Sequence, residues 1–302
     1  MPAERLLLLD TPSLYFRAFH GVPETVRAPD GTPVNAVRGL VDFAARLIRD
    51  HRPTRLVATM DADWRPAWRV AAIPSYKTHR IAPAGGETVP DPLVPQVPII
   101  TEVLDAIGLA QIGVDGYEAD DVIGTLAARS SIPVDIVTGD RDLFQLVRDC
   151  PNPVRVLYTA ARGVGRCDVV DEAFVTAKYG IPGRAYAEFA MLRGDPSDGL
   201  PGVPGIGEKS AAALVSRYGS VSAALSALDA GEDVPFAGKL AAARDYLAAA
   251  PTVVQVALDV PLPAYDDALP RVPRDPARLV ELADRWGLDS PLNRLLAALE
   301  AA

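Results

Sequence analysis

The chain has 302 residues, of which 49% are hydrophobic and 23% are charged, a composition typical of globular proteins that excludes a disordered or fibrous chain. This length fits one large α/β domain or two smaller ones. The leucine run before Asp10 is too short for a signal peptide or a membrane-spanning helix. Two cysteines exclude a disulfide framework and a cysteine-rich zinc site. We therefore expect a cytoplasmic protein with no membrane partner.

Short apolar runs alternate with amphipathic stretches along the first half of the chain. The predicted strands cover 5–9, 55–60, 134–138 and 154–158, and the predicted helices cover 36–50, 99–107 and 121–129. This alternation predicts an α/β fold with a mixed, mostly parallel central sheet flanked by helices. Residues 74–98 contain six prolines, so we expect an irregular segment there. After residue 168 the chain is alanine-rich and helical in pattern.

The net charge of −9 is unevenly distributed along the sequence. Nine of the 39 acidic residues fall in five short motifs, and the 30 that remain equal the 30 lysines and arginines. Overall acidity therefore does not exclude a nucleic-acid partner, because binding depends on local charge. The nine acids are Asp10, Asp61, Glu118, Asp120, Asp121, Asp140, Asp142, Asp195 and Asp198.

Three of these acidic groups follow predicted strands, at Asp10, Asp61 and Asp140. Each acid alone is typical of a helix cap or a turn. Ligands of parallel sheets, however, bind at the carboxyl ends of the strands, so we expect these side chains to meet at one edge. Two like charges about 4 Å apart repel by about 4 kcal/mol at an effective dielectric constant near 20, so the cluster needs counter-charge. Carboxylate oxygens suit Mg²⁺ or Mn²⁺, and paired ions of this kind promote phosphoryl transfer.

The order of the motifs LLLLD (6–10), TMD (59–61), YEADD (117–121), TGDRDLFQL (138–146) and GDPSDGLPGVPGIGEKSA (194–211) resembles the bacterial and phage 5′-nuclease family. That family comprises flap endonucleases and the 5′→3′ exonuclease domain of bacterial DNA polymerase I. The resemblance implies a free-standing enzyme that hydrolyses DNA near single-strand/duplex junctions, in primer removal and repair. It also implies a PIN-like nuclease domain over 1–170 and a helical DNA-binding domain over 171–302.

The resemblance further implies that the acids hold two or more divalent ions in two groups. The first group is Asp10, Asp61, Glu118 and Asp120; the second is Asp142, Asp195 and Asp198; Asp121 and Asp140 lie between or just behind them. The sequence departs from the family pattern at two positions, since Gly199 replaces a usual Asn and Asp63 replaces a common Lys. We expect the first departure to weaken the support of Asp198 and the second to add negative charge at the mouth of the site.

Basic residues before the irregular segment are predicted to contact the substrate. Lys77 and Arg80 would form one cationic face if they lie on a helix. The resemblance implies that this pair neutralises the scissile phosphate and that Tyr76 stacks on a frayed base. It also implies that residues 81–98, within an arch over 74–98, admit a free 5′ single strand.

A second substrate contact is predicted in the glycine-rich segment 194–218. Glycines permit close backbone approach, and free amides at a helix start near Glu208 bind phosphate without reading sequence. The segment resembles the family's helix–three-turn–helix, which implies a K⁺ ion on the main-chain carbonyls of Leu192, Arg193, Pro201, Val203 and Ile206. The further residues predicted to contact DNA are Arg17, Arg69, Gly205, Gly207, Lys209 and Ser210.

Three other functions are open at this point. One is a DNA-binding accessory protein with a vestigial site, against which the complete acid set argues. Another is a phosphatase with an aspartate nucleophile, which needs a second Asp where this chain has Pro12. The third is an RNA-cleaving relative, for which the segment 194–210 would be superfluous. We expect a monomer acting on a 5′ flap, a 5′ overhang or a nick, RNA-primed ends included.

Overall fold

A six-stranded sheet forms the centre of the computed structural model, which describes residues 4–302. The strands are β1 (Leu6–Asp10), β2 (Arg55–Thr59), β3 (Ala110–Ile112), β4 (Val134–Thr138), β5 (Val154–Tyr158) and β6 (Asp168–Val170). They lie in the order β3-β2-β1-β4-β5-β6, and every pairing is parallel except that of β6 with β5. The mixed, mostly parallel sheet predicted from the sequence is therefore confirmed. Three residues are too few to show a periodicity, which is why the pattern does not predict β3 and β6.

Helices cover both faces of the sheet and make up most of the second half of the chain. Their bounds are α1 (Thr11–Gly21), α2 (Asn35–His51), α3 (Ala67–Ala72), α4 (Gln96–Ile107), α5 (Ala119–Arg129), α6 (Glu172–Tyr179), α7 (Tyr186–Arg193), α8 (Glu208–Tyr218), α9 (Val221–Asp229), α10 (Ala237–Ala242), α11 (Arg244–Val254), α12 (Pro276–Trp286) and α13 (Asp289–Glu300). No helix within residues 4–302 has the length and apolar character that crossing a membrane would need.

The leucine run of β1 is apolar at every position because both of its faces are covered. Leu6 and Leu8 point into a core shared with α5 and helices α6 to α11. Leu7 and Leu9 point into a second core on the opposite face, against α2 and α4. Burial on both faces thus holds the last residue of the strand, Asp10, in a fixed place.

The last two helices do not pack with the rest of the predicted C-terminal domain. α13 packs against α2, and α12 packs against α4. Leu282 and Leu295 from this pair are fully buried in the same core as Leu7 and Leu9. The predicted domain 171–302 is therefore not one packed body, because its final part completes the α/β layer. The predicted domain 1–170 begins with residues 1–3, which lie outside the described residues.

The predicted arch segment 74–98 is mostly irregular, in keeping with its proline content. A single 3₁₀ turn covers Thr78–Arg80, and the chain then forms a short hairpin in which Ile81 pairs with Glu87. The Ala82 amide donates to the Gly86 carbonyl at 2.9 Å, which closes the tip. Helix α4 begins at Gln96, so the last residues of the segment are regular.

Candidate active site

The carboxyl ends of β2, β1 and β4 lie side by side and place three acidic residues at one edge of the sheet. Asp10 ends β1, whereas Asp61 and Asp140 each follow their strand by two residues. This edge opens into a cavity of about 410 Å³. The cavity wall includes seven carboxylates, from Asp10, Asp61, Glu87, Glu118, Asp120, Asp140 and Asp195. Six of the nine predicted acids therefore meet in one place.

Asp10 is held rigidly at the floor of the cavity. Its carboxylate accepts hydrogen bonds from Thr138 Oγ1 at 2.5 Å and from the Ser13 amide at 3.2 Å. Burial raises the pKa of Asp10 to about 7, the Thr138 hydrogen bond opposes this shift, and the nearby charges of Asp61 and Asp140 add to it.

Two further acids of the site have strongly raised pKa values, and one of them has an oxygen without a partner. Burial raises the pKa of Asp120 well above its usual range, and the charges of Asp10 and Asp140 raise it further. The pKa of Asp142 is raised in the same way by burial and then by Asp140. The Oδ1 atom of Asp142 is buried without a hydrogen-bond partner. Unpaired buried carboxylates are costly, and cations bound by oxygen ligands would remove that cost.

Two members of the second acidic group, Asp195 and Asp198, lie in the loop after α7. Asp195 Oδ1 accepts from the Ser197 amide at 2.8 Å, and Arg193 lies 3.6 Å from the other carboxylate oxygen. Asp198 accepts from Arg80 at 2.7 Å. The charges of Asp195 and Asp198 both raise the pKa values of Asp140 and Asp142, after burial, so the two acidic groups adjoin.

The surroundings of Glu118 show that cations of the site already form ion pairs with its acids. It accepts from Arg69, from Lys77 and, at 2.8 Å, from the Tyr76 hydroxyl. Burial raises the pKa of Glu118 to about 7, while Lys77 and Arg69 oppose the shift. Within residues 4–302, no group of three acidic, His or Cys side chains is arranged to hold a metal ion as it stands. Pairs such as Lys77 with Glu118 and Arg80 with Asp198 would have to open first.

Arg69 and Asp121 correct two of the predicted roles. The Arg69 side chain is 2% exposed and Asp121 is fully buried. Their fork-like ion pair has distances of 2.7 and 3.0 Å, and Asp121 also accepts from the Ala257 amide at 2.8 Å. Arg69 therefore does not face DNA, and Asp121 has no oxygen directed at the cavity. The pair instead fixes α3 against the start of α5.

Tyr76, Lys77 and Arg80 also depart from the predicted arrangement. Lys77 has a φ of +50° and precedes the 3₁₀ turn, so it shares no helical face with Arg80. The two cations diverge, Lys77 to Glu118 and Arg80 to Asp198. Tyr76 is only 2% exposed, so its ring is not available to stack on a base. Lys77 and Arg80 nevertheless both line the cavity.

The two departures from the family pattern have local explanations. Gly199 has a φ of +72°, and a Cβ there would lie 2.5 Å from the Ser75 carbonyl oxygen. An Asn would therefore not fit, and Asp198 is supported instead by Arg80. Asp63 forms a turn in which its carboxylate accepts from the Arg65 amide at 3.1 Å.

The predicted duplex contact is an exposed turn in front of α8. Gly202 packs directly on Gly194, where a Cβ would lie 2.5 Å from the Gly194 amide nitrogen. Gly207 precedes the helix, whose first turn has no side-chain cap. Gly205, Gly207 and Lys209 are exposed, and Ser210 is half-buried.

Two of the carbonyls predicted for K⁺ already accept backbone hydrogen bonds. The Leu192 carbonyl accepts from Val203, and the Val203 carbonyl accepts from Ile206, both at 2.9 Å. A carbonyl oxygen has a second lone pair, so these bonds leave the K⁺ site a prediction.

Arg17 and Glu87 complete the surroundings of the cavity. Arg17 has a buried Nε without a hydrogen-bond partner, and its guanidinium lies beside Gly139. Glu87 was not predicted, because an isolated acid in an irregular segment carries no motif. The hairpin of the arch brings it to the cavity wall.

Comparison with known proteins agrees with this geometry. A family described as "5'-3' exonuclease, N-terminal resolvase-like domain" matches residues 5–180, and "5'-3' exonuclease, C-terminal SAM fold" matches residues 181–277. The chain belongs to the 5′–3′ exonuclease family. These two matches confirm the family resemblance that the sequence motifs indicate. They also confirm the predicted fold, a PIN-like domain followed by a helical C-terminal part. The two family models meet after residue 180, ten residues beyond the domain boundary that the sequence predicts at residue 170.

Individual members of the 5′–3′ exonuclease family are similar over nearly the whole chain. A 5′–3′ exonuclease of Streptomyces coelicolor is 61% identical and covers 98% of this chain and 100% of its own. A DNA polymerase I of Mycobacterium bovis is 38% identical over 98% of this chain but only 32% of its own. T5 5′-exonuclease bound to zinc shares the fold with a TM-score of 0.63 at 18% identity, covering 98% and 100% of the two chains. A T5 flap endonuclease with DNA and metal ions gives the same TM-score at 17% identity and the same coverage.

The raised pKa values of Asp10 and Glu118 predict how the stability of the metal-free protein depends on pH. A carboxyl whose pKa is higher in the folded state stabilises the fold when protonated, and this stabilisation is lost as pH rises through about 7. We therefore expect the urea midpoint in EDTA to fall as pH rises from about 4, where the carboxyls of the unfolded chain ionise, to about 7, and to change little above about pH 8. The variant Asp10→Asn should show a smaller fall. An identical fall in the variant would contradict the assignment to Asp10.

Proposed function

We propose that the chain is a divalent-metal-dependent, structure-specific 5′ nuclease. It would hydrolyse a DNA phosphodiester near a single-strand/duplex junction and leave 5′-phosphate and 3′-hydroxyl ends, in primer removal and repair. The observation that carries the proposal is the cavity wall of seven carboxylates, with Lys77 and Arg80 on the same wall. Membership of the 5′–3′ exonuclease family and the metal- and DNA-bound T5 relatives support it.

The donor set fits Mg²⁺ or Mn²⁺, because it consists of hard carboxylate oxygens, of which Asp142 Oδ1 is buried without a hydrogen-bond partner. When bound, such ions lower the pKa of a water and stabilise the departing oxygen of a phosphodiester. The residues that would hold them are Asp10, Asp61, Glu118, Asp120 and Asp140 in one group and Asp142, Asp195 and Asp198 in the other.

The cations of the site would exchange partners when DNA binds. Lys77 and Arg80 now pair with Glu118 and Asp198. With divalent ions held by these carboxylates, Lys77 and Arg80 would be free to contact the scissile phosphate, where they would stabilise charge that grows in the transition state. The uncapped start of α8 would hold a duplex phosphate, with K⁺ on the adjacent carbonyls, while the arch at 74–98 admits the 5′ strand. We propose that a monomer suffices, because all these groups come from one chain.

The proposed function is tested by incubating the chain with a 5′-flap DNA and Mn²⁺. Cleavage near the junction that leaves a 5′-phosphate, and that EDTA abolishes, is the expected result. Binding without cleavage would instead indicate an accessory protein. Faster cleavage of a matched RNA would indicate the RNA-cleaving alternative.

Lys77→Met is expected to lower the rate of cleavage by about 100-fold or more, because Lys77 would act on charge that develops in the transition state. The dissociation constant for flap DNA should change far less. Single-turnover kinetics and an anisotropy titration measure the two quantities separately. An equal loss in both would mean that Lys77 serves only to bind the substrate.

A further inference from the structure

The hairpin of the arch directs one acidic side chain, that of Glu87, into the cavity. Residues 83–86 at the tip of the hairpin are exposed, whereas Glu87 is half-buried and lines the cavity. Thr88 is exposed again, and Val89 is half-buried against the cluster that contains Phe19 of α1. This alternation is typical of an extended strand, in which successive side chains point to opposite sides. The extended backbone therefore turns Glu87 toward the cavity.

Contacts on both sides of Glu87 hold it in this position. Ile81 pairs with Glu87 across the hairpin, and the Thr88 amide donates to the Arg80 carbonyl at 2.7 Å. Two residues after Glu87, Val89 packs on α1. The carboxylate thus lies between the turn that ends at Arg80 and the helix on the other side of the cavity mouth.

The charges around Glu87 leave it without a cation of its own. Within residues 4–302 no cation forms an ion pair with Glu87, because Lys77 and Arg80 pair with other acids. Burial raises the pKa of Glu87, the charge of Asp61 raises it further, and the two cations oppose the shift. A carboxylate in this setting repels any further negative charge that is brought to the same wall of the cavity.

Glu87 differs from the other six acids of the cavity wall in its relation to the proposed function, on which this inference rests. Those six belong to the groups that would hold divalent ions, so bound ions would offset their charge. Glu87 belongs to neither group, and it lies in the segment that would admit the 5′ strand. The phosphates of that strand would therefore meet the charge of Glu87 without compensation.

We propose that Glu87 is a specificity-determining residue, whose carboxylate repels the phosphates of a 5′ single strand that passes beneath the arch. A long flap carries several such phosphates, whereas a nick with a 5′-hydroxyl end carries none beyond the scissile one. Glu87 thereby shifts the preference of the enzyme from long flaps toward 5′ ends that lie at the junction. A repulsive element directed against one substrate determines specificity, because the preference depends only on the difference in free energy between the two substrates.

Equilibrium binding tests the role of Glu87 without cleavage. Affinities for a 5′ flap several nucleotides long and for a nicked duplex with a 5′ hydroxyl are measured by fluorescence anisotropy in EDTA, at about pH 8 so that carboxyls are ionised. Glu87→Gln keeps the shape of the side chain and removes its charge, so it should bind the flap several-fold more tightly and the nick as the wild type does. Glu87→Asp keeps the charge and should keep the wild-type preference. Asp91→Asn is the matched control, because Asp91 is an exposed acid of the same segment outside the cavity wall.

Single-turnover cleavage of the same two DNAs with Mn²⁺ is the second measurement. Glu87→Gln should raise the flap-to-nick ratio of the second-order rate constants several-fold, and added KCl should reduce this gain, because salt screens charges that water can reach. If the ratio is unchanged or lower in both assays, the inference about Glu87 is wrong. An equal loss of cleavage on both DNAs would also contradict it, since Glu87 would then serve the metal ions. If the wild type neither binds nor cleaves either DNA, the proposed function fails first.

Discussion

Asp142→Asn is expected to reduce cleavage of flap DNA by at least about 1,000-fold, equal to about 4 kcal/mol of transition-state stabilisation. Asp142 joins the two acidic groups, since its carboxyl is raised in pKa by the charges of Asp140, Asp195 and Asp198, after burial. An amide of the same shape removes the negative charge that a divalent ion requires. DNA affinity in EDTA should stay within a few-fold of the wild type, because the proposed phosphate contacts lie elsewhere.

The same substitution should stabilise the metal-free protein. Asp142 Oδ1 is buried without a partner among carboxylates, so its charge costs free energy in the folded state. Asn carries no charge and offers N–H donors to the neighbouring acids. We therefore expect the urea midpoint of Asp142→Asn in EDTA to rise. Lower stability together with lost cleavage would instead identify Asp142 as a structural residue.

Asp105→Asn serves as the control for these measurements. Asp105 is an exposed acid paired with Arg274 at 2.8 Å, and it is not among the residues that line the cavity. An exposed ion pair contributes at most about 1 kcal/mol to stability. The control should therefore match the wild type in both cleavage and stability.

The sequence predicts the sheet edge well because the determinants are local. A leucine run with no polar position indicates a strand buried on both faces, and its last residue must then lie at the carboxyl edge. Asp10, Asp61 and Asp140 follow such runs, so their convergence needs only the parallel order of the strands. Glycine spacing likewise predicts the turn before α8, since positive φ values at Gly202 and Gly205 are intrinsic to glycine.

The sequence does not predict the direction of side chains that depend on contacts distant in the chain. Lys77 adopts a positive φ although it is not glycine, and this places it on Glu118, 41 residues away in the chain. The position of α13 depends on packing against α2, which no periodicity within α13 specifies. The burial of Tyr76 likewise depends on packing against α7 and α11, which are distant in the chain.

Arg69 is the clearest example of a side chain whose direction depends on distant contacts. Its substitution is expected to cause the largest loss of stability. Arg69→Met leaves Asp121 fully buried without a cation and removes one partner of Glu118. Removing one member of a buried ion pair costs about 3–5 kcal/mol, because the remaining charge is uncompensated. Arg294→Met is a matched control, since Arg294 forms a similar fork-like pair with Asp42 at an exposed position and should cost less than about 1 kcal/mol.

A double variant separates the charge from the packing. If the loss arises from the stranded Asp121 carboxylate, then Arg69→Met combined with Asp121→Asn should recover part of the stability lost by Arg69→Met alone. Asn at position 121 would carry no charge. Its side-chain oxygen would still accept a hydrogen bond from the backbone amide of Ala257, which donates to Asp121 at 2.8 Å in the wild type. Urea denaturation of the four proteins in EDTA gives the coupling free energy directly. Additive effects would mean that Arg69 supports the fold through its hydrocarbon contacts, and a small effect of Arg69→Met would restore Arg69 as a residue free to contact DNA.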